Sequence, residues 1–189
     1  MTRFASVLVL TVLFGCVVTA EDAPKPKQQA TAGGKVKAVD AKGGTITIIQ
    51  RIDNKEKDLI VRFASNAKIA VDGKVATLDH VPVGAPQARV FGGKLEASQV
   101  ADAEWLWVVG TSELGIFKKV SNDTLTYKPD GTPANKPPDK TLKLAPDAKP
   151  MINGKEGKFT DFKSGDKIFI RYTADGKFAL IVSGGKEPK

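Results

Sequence analysis

Thr45-Ile46-Thr47-Ile48 alternates polar and apolar residues, and Leu59, Val61 and Phe63 alternate with Ile60 and Arg62. A period of two is that of a half-buried strand. Lys35 to Asp40 and Gln87 to Phe91 read as further strands, and Leu95 to Val100 as the closing strand of this region. Asp72-Gly73 is a two-residue signal for a type I′ hairpin turn, because both central residues need positive φ. Thr77 to Val81 predicts one helical turn capped by Thr77 and ended by Pro82 and Gly84. Ala41 to Gly44 and Gly92-Gly93 read as turns, and Ile52 to Lys57 as a charged connection.

The same pattern occurs twice. Val61 to Phe91 aligns without a gap on Leu142 to Tyr172, at a constant offset of 81 residues. Gly73, Lys74 and Gly84 fall on Gly154, Lys155 and Gly165, while Val61, Phe63, Leu78, Val81 and Phe91 fall on Leu142, Leu144, Phe159, Phe162 and Tyr172. Turn glycines and core positions both keep their places, which indicates a duplicated β unit. Asn153-Gly154 repeats the hairpin signal, and Lys128 to Asp139 is a longer, Pro-rich loop where the first copy has its charged connection.

The expected fold is all-β: two tandem small barrels of about five strands each, with a short helical turn between the third and fourth strands, the order of an OB-type barrel. A single sandwich built from both halves is the structural alternative. The expected boundaries are a signal peptide at 1–20, a flexible linker at 21–33, repeat 1 at 34–110, repeat 2 at 111–183 and a tail at 184–189. G-x-V-x-x-V-D from Gly34 to Asp40, Asn122 to Thr126, the Asp-Gly and Asn-Gly turns, and Phe159 and Phe162 before Gly165-Asp166 together resemble bacterial secreted OB-like β-barrel domains of unknown function. Repeat 1 departs from that pattern with Gly84-Ala85 where Gly-Asp is usual. The resemblance spans nearly all of the chain after residue 20, and it brings no catalytic residues with it.

Arg3, then the apolar run Phe4 to Val18, then Val18-Thr19-Ala20 read as a secretory signal cleaved after Ala20. Leu13-Phe14-Gly15-Cys16 gives the alternative, a lipid anchor on Cys16, the only cysteine. Cleavage after Ala20 leaves a chain with no disulfide and no thiolate nucleophile.

Candidate chemistry is sparse. His80 stands alone, so no His-based metal site or relay is expected, and it reads as a surface residue on the helical turn. No G-x-S-x-G motif occurs, and Asp53, Glu56 and Asp58 are interrupted by Lys55 and Lys57, which oppose calcium. Catalytic residues, metals and cofactors are therefore expected to be none. Trp105 and Trp107, two residues apart, share one face of the most apolar stretch, Ala103 to Gly110, which reads as a strand at the seam between the repeats. Core or inter-repeat packing is one use for that pair. Stacking on bases or sugar rings is the other, with Tyr127 as a third candidate.

Net charge is +8, and only five of the 29 basic residues are arginine: Arg3, Arg51, Arg62, Arg89 and Arg171. Lysine is a solvated point charge and arginine the bidentate reader of carboxylate and phosphate. The expectation is an exported, non-enzymatic binding or scaffolding module whose partner is an anionic cell-envelope polymer or another protein. The alternative is an OB-type nucleic-acid or oligosaccharide binder. Export and the shortage of arginine argue against nucleic acid, and a membrane enters only through lipidation at Cys16.

Overall fold

A computed structural model of the chain describes residues 28–131 and 137–185, together with Asp22, Ala23 and Pro26. The expected signal segment with Cys16, residues 132–136 of the Pro-rich loop and the last four residues lie outside the described residues.

The first unit contains β1 (Ala32–Asp40), β2 (Thr45–Ile52), β3 (Lys55–Val71), β4 (Lys74–Ala76), a 3-10 turn (Leu78–His80), β5 (Gln87–Phe91), β6 (Lys94–Glu96) and β7 (Gln99–Val109). The second contains β8 (Ser112–Ser121), β9 (Thr124–Pro129), β10 (Lys140–Ile152), β11 (Lys155–Glu156), a 3-10 turn (Phe159–Asp161), β12 (Lys167–Tyr172) and β13 (Phe178–Gly184). Each unit is a closed five-stranded barrel. In the first, β3-β2-β1-β5-β7 returns to β3, and in the second, β10-β9-β8-β12-β13 returns to β10. The closing pairs, β3 with β7 and β10 with β13, are parallel, while the other pairs around each barrel are antiparallel.

Alternation fills each interior. Val36, Ile46, Ile48, Val61, Val90, Leu106 and Val108 are buried in the first core, and Phe117, Leu125, Ile168, Ile170 and Val182 in the second. Burying one such side chain stabilises the fold by roughly 1.5–3 kcal/mol. The hairpin signals hold. Asp72 and Gly73 have φ of 55° and 86°, and Asn153 and Gly154 have 50° and 79°. An alanine at either glycine would cost about 1–2 kcal/mol in that left-handed region.

Four expectations need correction. Ile52 to Lys57 is not a charged loop. Asp53 and Asn54 alone make the turn, with φ of 51° and 59°, and Ile52 pairs with Lys55. Aspartate and asparagine tolerate that conformation, so the hairpin continues beyond the core with exposed Lys55 to Asp58 on its arm. The closing strand is not Leu95 to Val100 but β7, which carries the tryptophans. Both of its edges are paired, so the apolar stretch is a barrel stave, and its end at Trp107, Val109 and Gly110 borders the seam between the barrels. Thr77 makes no side-chain cap to the helical turn. Its hydroxyl instead bonds Asp79 Oδ1 at 2.5 Å and meets His80 Nδ1 at 2.7 Å.

The repeat alignment also slips by one residue. Ala32 lies opposite Val90, and its counterpart Glu113 lies opposite Ile170, so the offset has fallen from 81 to 80 between the two strands. The second copy is one residue shorter between Asp166 and Ile168 than the first between Ala85 and Ala88. A slip of one sends a side chain to the other face. Phe91 therefore lies outside the first core cluster, whereas Tyr172 packs against the second.

The barrels meet closely. The Ala174 N–H donates to Asp72 Oδ2 at 2.8 Å. Ala174 is buried in the first barrel's core cluster although it belongs to the second barrel's β12–β13 turn. Lys74 pairs with Asp147 across the joint.

Candidate ligand-binding groove

On β5 the core takes Ala88 and Val90, which turns Gln87 and Arg89 outward. On β7 it takes Leu106 and Val108, which turns Trp107 and Val109 outward. The register sets Arg89 opposite Trp107 and Phe91 opposite Trp105. Across Gly110, Ser112 lies opposite Arg171 on the first strands of the second barrel's outer face. Gln87, Arg89, Phe91, Trp107, Val109, Gly110, Ser112 and Arg171 line one groove of about 780 Å³ between the barrels, completed by Gln28, Gln29 and Ala30.

That volume is within the range of small-molecule sites. Among the described residues no carboxylate lines the groove, while two of the chain's five arginines do. Each guanidinium offers a planar fork of donors that matches a carboxylate or phosphate and stacks on aromatic faces. Trp107 and Phe91 supply ring surface, and Gln87, Gln29 and Ser112 supply neutral polar groups. The site can hold an anionic ligand with an apolar or ring-shaped face. It presents no aligned nucleophile and base.

Of the three residues singled out from sequence, only Trp107 lines the groove. Trp105 shares its face but is held beside Lys68, whose Nζ sits 5.5 Å from the ring centroid. Its indole Nε1 is buried without a hydrogen-bond partner. Tyr127 is 1% exposed in the second core and presents no ring face to solvent. Arg89, Phe91 and Arg171 escaped the sequence reading. The signal available was the rarity of arginine, placed at outward strand positions on both sides of Gly110.

A second polar assembly closes the end of the second barrel. The Tyr127 hydroxyl donates to Glu113 Oε2 at 2.8 Å and the Tyr172 hydroxyl donates to the same oxygen at 2.5 Å. The two phenolic oxygens are 2.5 Å apart, and Lys140 Nζ donates to Glu113 Oε1 at 2.9 Å. Glu113, Tyr127 and Lys140 occupy the places of Ala32, Ile48 and Leu59, which are buried in the first core. Burial raises the Glu113 pKa, but the Tyr172, Lys140 and Tyr127 hydrogen bonds outweigh it and hold the carboxyl below its ordinary value. Burial and the bond to Glu113 push Tyr172 up to about 12, and burial with the neighbouring Tyr172 hydroxyl and Glu113 carboxylate pushes Tyr127 up as well. Near neutral pH the cluster is a carboxylate with its donors in place, not an acid or base poised for proton transfer.

Among the described residues, no three His, Cys, Asp or Glu side chains converge as a metal site. His80 is exposed on its helical turn. No known family model matches the chain, and a search of curated proteins finds no significant match.

Proposed function

We propose that this chain is an exported, non-enzymatic binding module that takes an anionic ligand in the groove between its two barrels. The observation that carries this reading is that Arg89 and Arg171, one from each barrel, line one groove with Trp107, and that among the described residues no carboxylate lines it. Two guanidinium forks can hold a carboxylate or phosphate by charge-assisted bonds, and the ring beside them selects ligands with a flat apolar face. The closed strand order supports an OB-type barrel. The third and fifth principal strands pair in parallel, and a helical turn sits between the third and fourth. Export rests on the N-terminal signal pattern, and the non-enzymatic reading on the saturated Glu113 cluster and the lone His80.

The test is a tryptophan-fluorescence titration with trigalacturonate, a short uronic-acid chain, and with its neutral galactose analogue. Saturable binding of the acidic sugar that weakens with salt, and at least tenfold with Arg89→Ala, is the expected result. Equal binding of the neutral sugar, or indifference to Arg89→Ala at an unchanged melting temperature, overturns the reading.

A further inference from the structure

A second cavity, of about 480 Å³, lies on the outer face of the second barrel. Its walls include Leu114, Met151, Lys167, Phe169 and Ile181. It shares Arg171 with the inter-barrel groove, so one guanidinium borders both spaces. Among the described residues no carboxylate lines this cavity, while Glu113 and Asp130 border the other side of the Phe169 and Leu114 side chains. Phe169 lies opposite Leu114, and these two side chains are 38% and 57% exposed, so they form an apolar platform open to solvent.

The strand pattern makes the two spaces one surface. Ile168 and Ile170 point into the second core, which sends Lys167, Phe169 and Arg171 outward in a row along β12. From Arg171 to Lys167 that row covers four residue steps, roughly 13 Å of extended strand. At the Arg171 end it reaches Ser112 and Gly110 and enters the first groove.

Resting on the proposed function, the geometry points to a continuous track for an extended acidic polysaccharide, crossing Arg171 from the inter-barrel groove onto the Phe169–Leu114 platform. The cations are sparse and alternate with apolar platforms: Arg89 by Trp107, Arg171 between the cavities, Lys167 by Phe169. A sugar-acid chain presents its charges in the same way, each beside an apolar ring face. A nucleic-acid strand also carries one anion per unit, but it stacks its bases on aromatic rings, and Leu114, half of the platform, offers none. Filling the second cavity adds contacts without a second encounter from solution, so affinity rises with chain length until the track is filled.

The test compares galacturonate oligomers of three and six units by isothermal calorimetry on the full chain. It uses wild type and two track variants, Phe169→Ala and Lys167→Glu at an exposed position, each checked for an unchanged melting temperature. The expected result is that the hexamer binds wild type roughly tenfold or more tighter than the trimer, and that both variants remove this gain while leaving trimer affinity unchanged. Equal affinity for the two lengths, or hexamer binding untouched by both variants, overturns the track while the groove reading stands. Failure of both oligomers to bind overturns the groove reading and the track with it. Tighter binding of a single-stranded DNA hexamer than of the uronate hexamer overturns the choice of ligand.

Discussion

Asp72 in the first barrel's hairpin turn accepts the backbone N–H of Ala174, 102 residues away in the second barrel, at 2.8 Å. Its other oxygen, Oδ1, is buried with no partner. Burial raises the Asp72 pKa, more than the Ala174 amide lowers it, and Asp175 and Asp147 add to the rise. Lys74, ion-paired to Asp147, is the cation of the joint. A raised folded-state pKa means a contribution fully present below the ordinary carboxylate value and lost as pH rises through the raised one. Asp72→Asn keeps an acceptor and tolerates the φ of 55° but removes the charge. Melting curves against pH should show that wild type loses stability over this window and that Asp72→Asn does not. Asp72→Ala removes the acceptor and should lower stability by about 1–3 kcal/mol below this window and by less above it.

Gly110 has no room for a side chain. A Cβ there would lie 2.3 Å from the carbonyl oxygens of both Tyr172 and Thr173. These are backbone atoms, and the Tyr172 amide is itself tied to Thr111. Gly110→Ala is expected to cost about 1–3 kcal/mol through overpacking, and to open the joint. Limited proteolysis should then release two barrel-sized fragments cut near residue 110, where wild type resists.

Glu113 gives the opposite pH behaviour to Asp72. Its folded-state pKa is lowered, so its contribution is present above the ordinary carboxylate value and lost as pH falls through the lowered one. Glu113→Ala strands two phenol hydroxyls and a lysine, and should cost about 1–3 kcal/mol at neutral pH. Adding Tyr127→Phe and Tyr172→Phe removes the stranded donors and should recover most of that loss. Urea titrations of the single and triple variants check this.

The two tryptophans should answer differently to ligand. Trp107 lines the groove, while Trp105 sits beside it under Lys68. Trp107→Phe should abolish the fluorescence change on adding trigalacturonate, and Trp105→Phe should keep it. Loss of the signal in Trp105→Phe alone would move the site along β7.

The barrels were legible because their determinants are local. Asp72-Gly73 and Asn153-Gly154 announce turns that only a few residue types can make, and alternation at Ile46-Thr47-Ile48 names the buried face without knowledge of the partner strand. The groove was not legible, because Arg89 and Arg171 come from different barrels and border one space only once the Gly110 joint sets the barrels side by side. Tyr127 looked like an exposed aromatic because its ring alternates correctly for either face. Only the position of Glu113, where the first copy has Ala32, shows why a phenol belongs inside. Trp105 and Trp107 were correctly put on one face, but which face depends on Leu106 and Val108 entering the core between β3 and β5.

The parallel union of β3 with β7 has a kinetic consequence. Val61 must find Val100, and Leu144 must find Ala179, across long intervening stretches before either cylinder can shut. Such distant pairings make for high contact order, and domains of that kind fold in milliseconds to seconds, far slower than helical bundles. Each half therefore stays open, with its greasy interior wettable, until its last stave has left the ribosome.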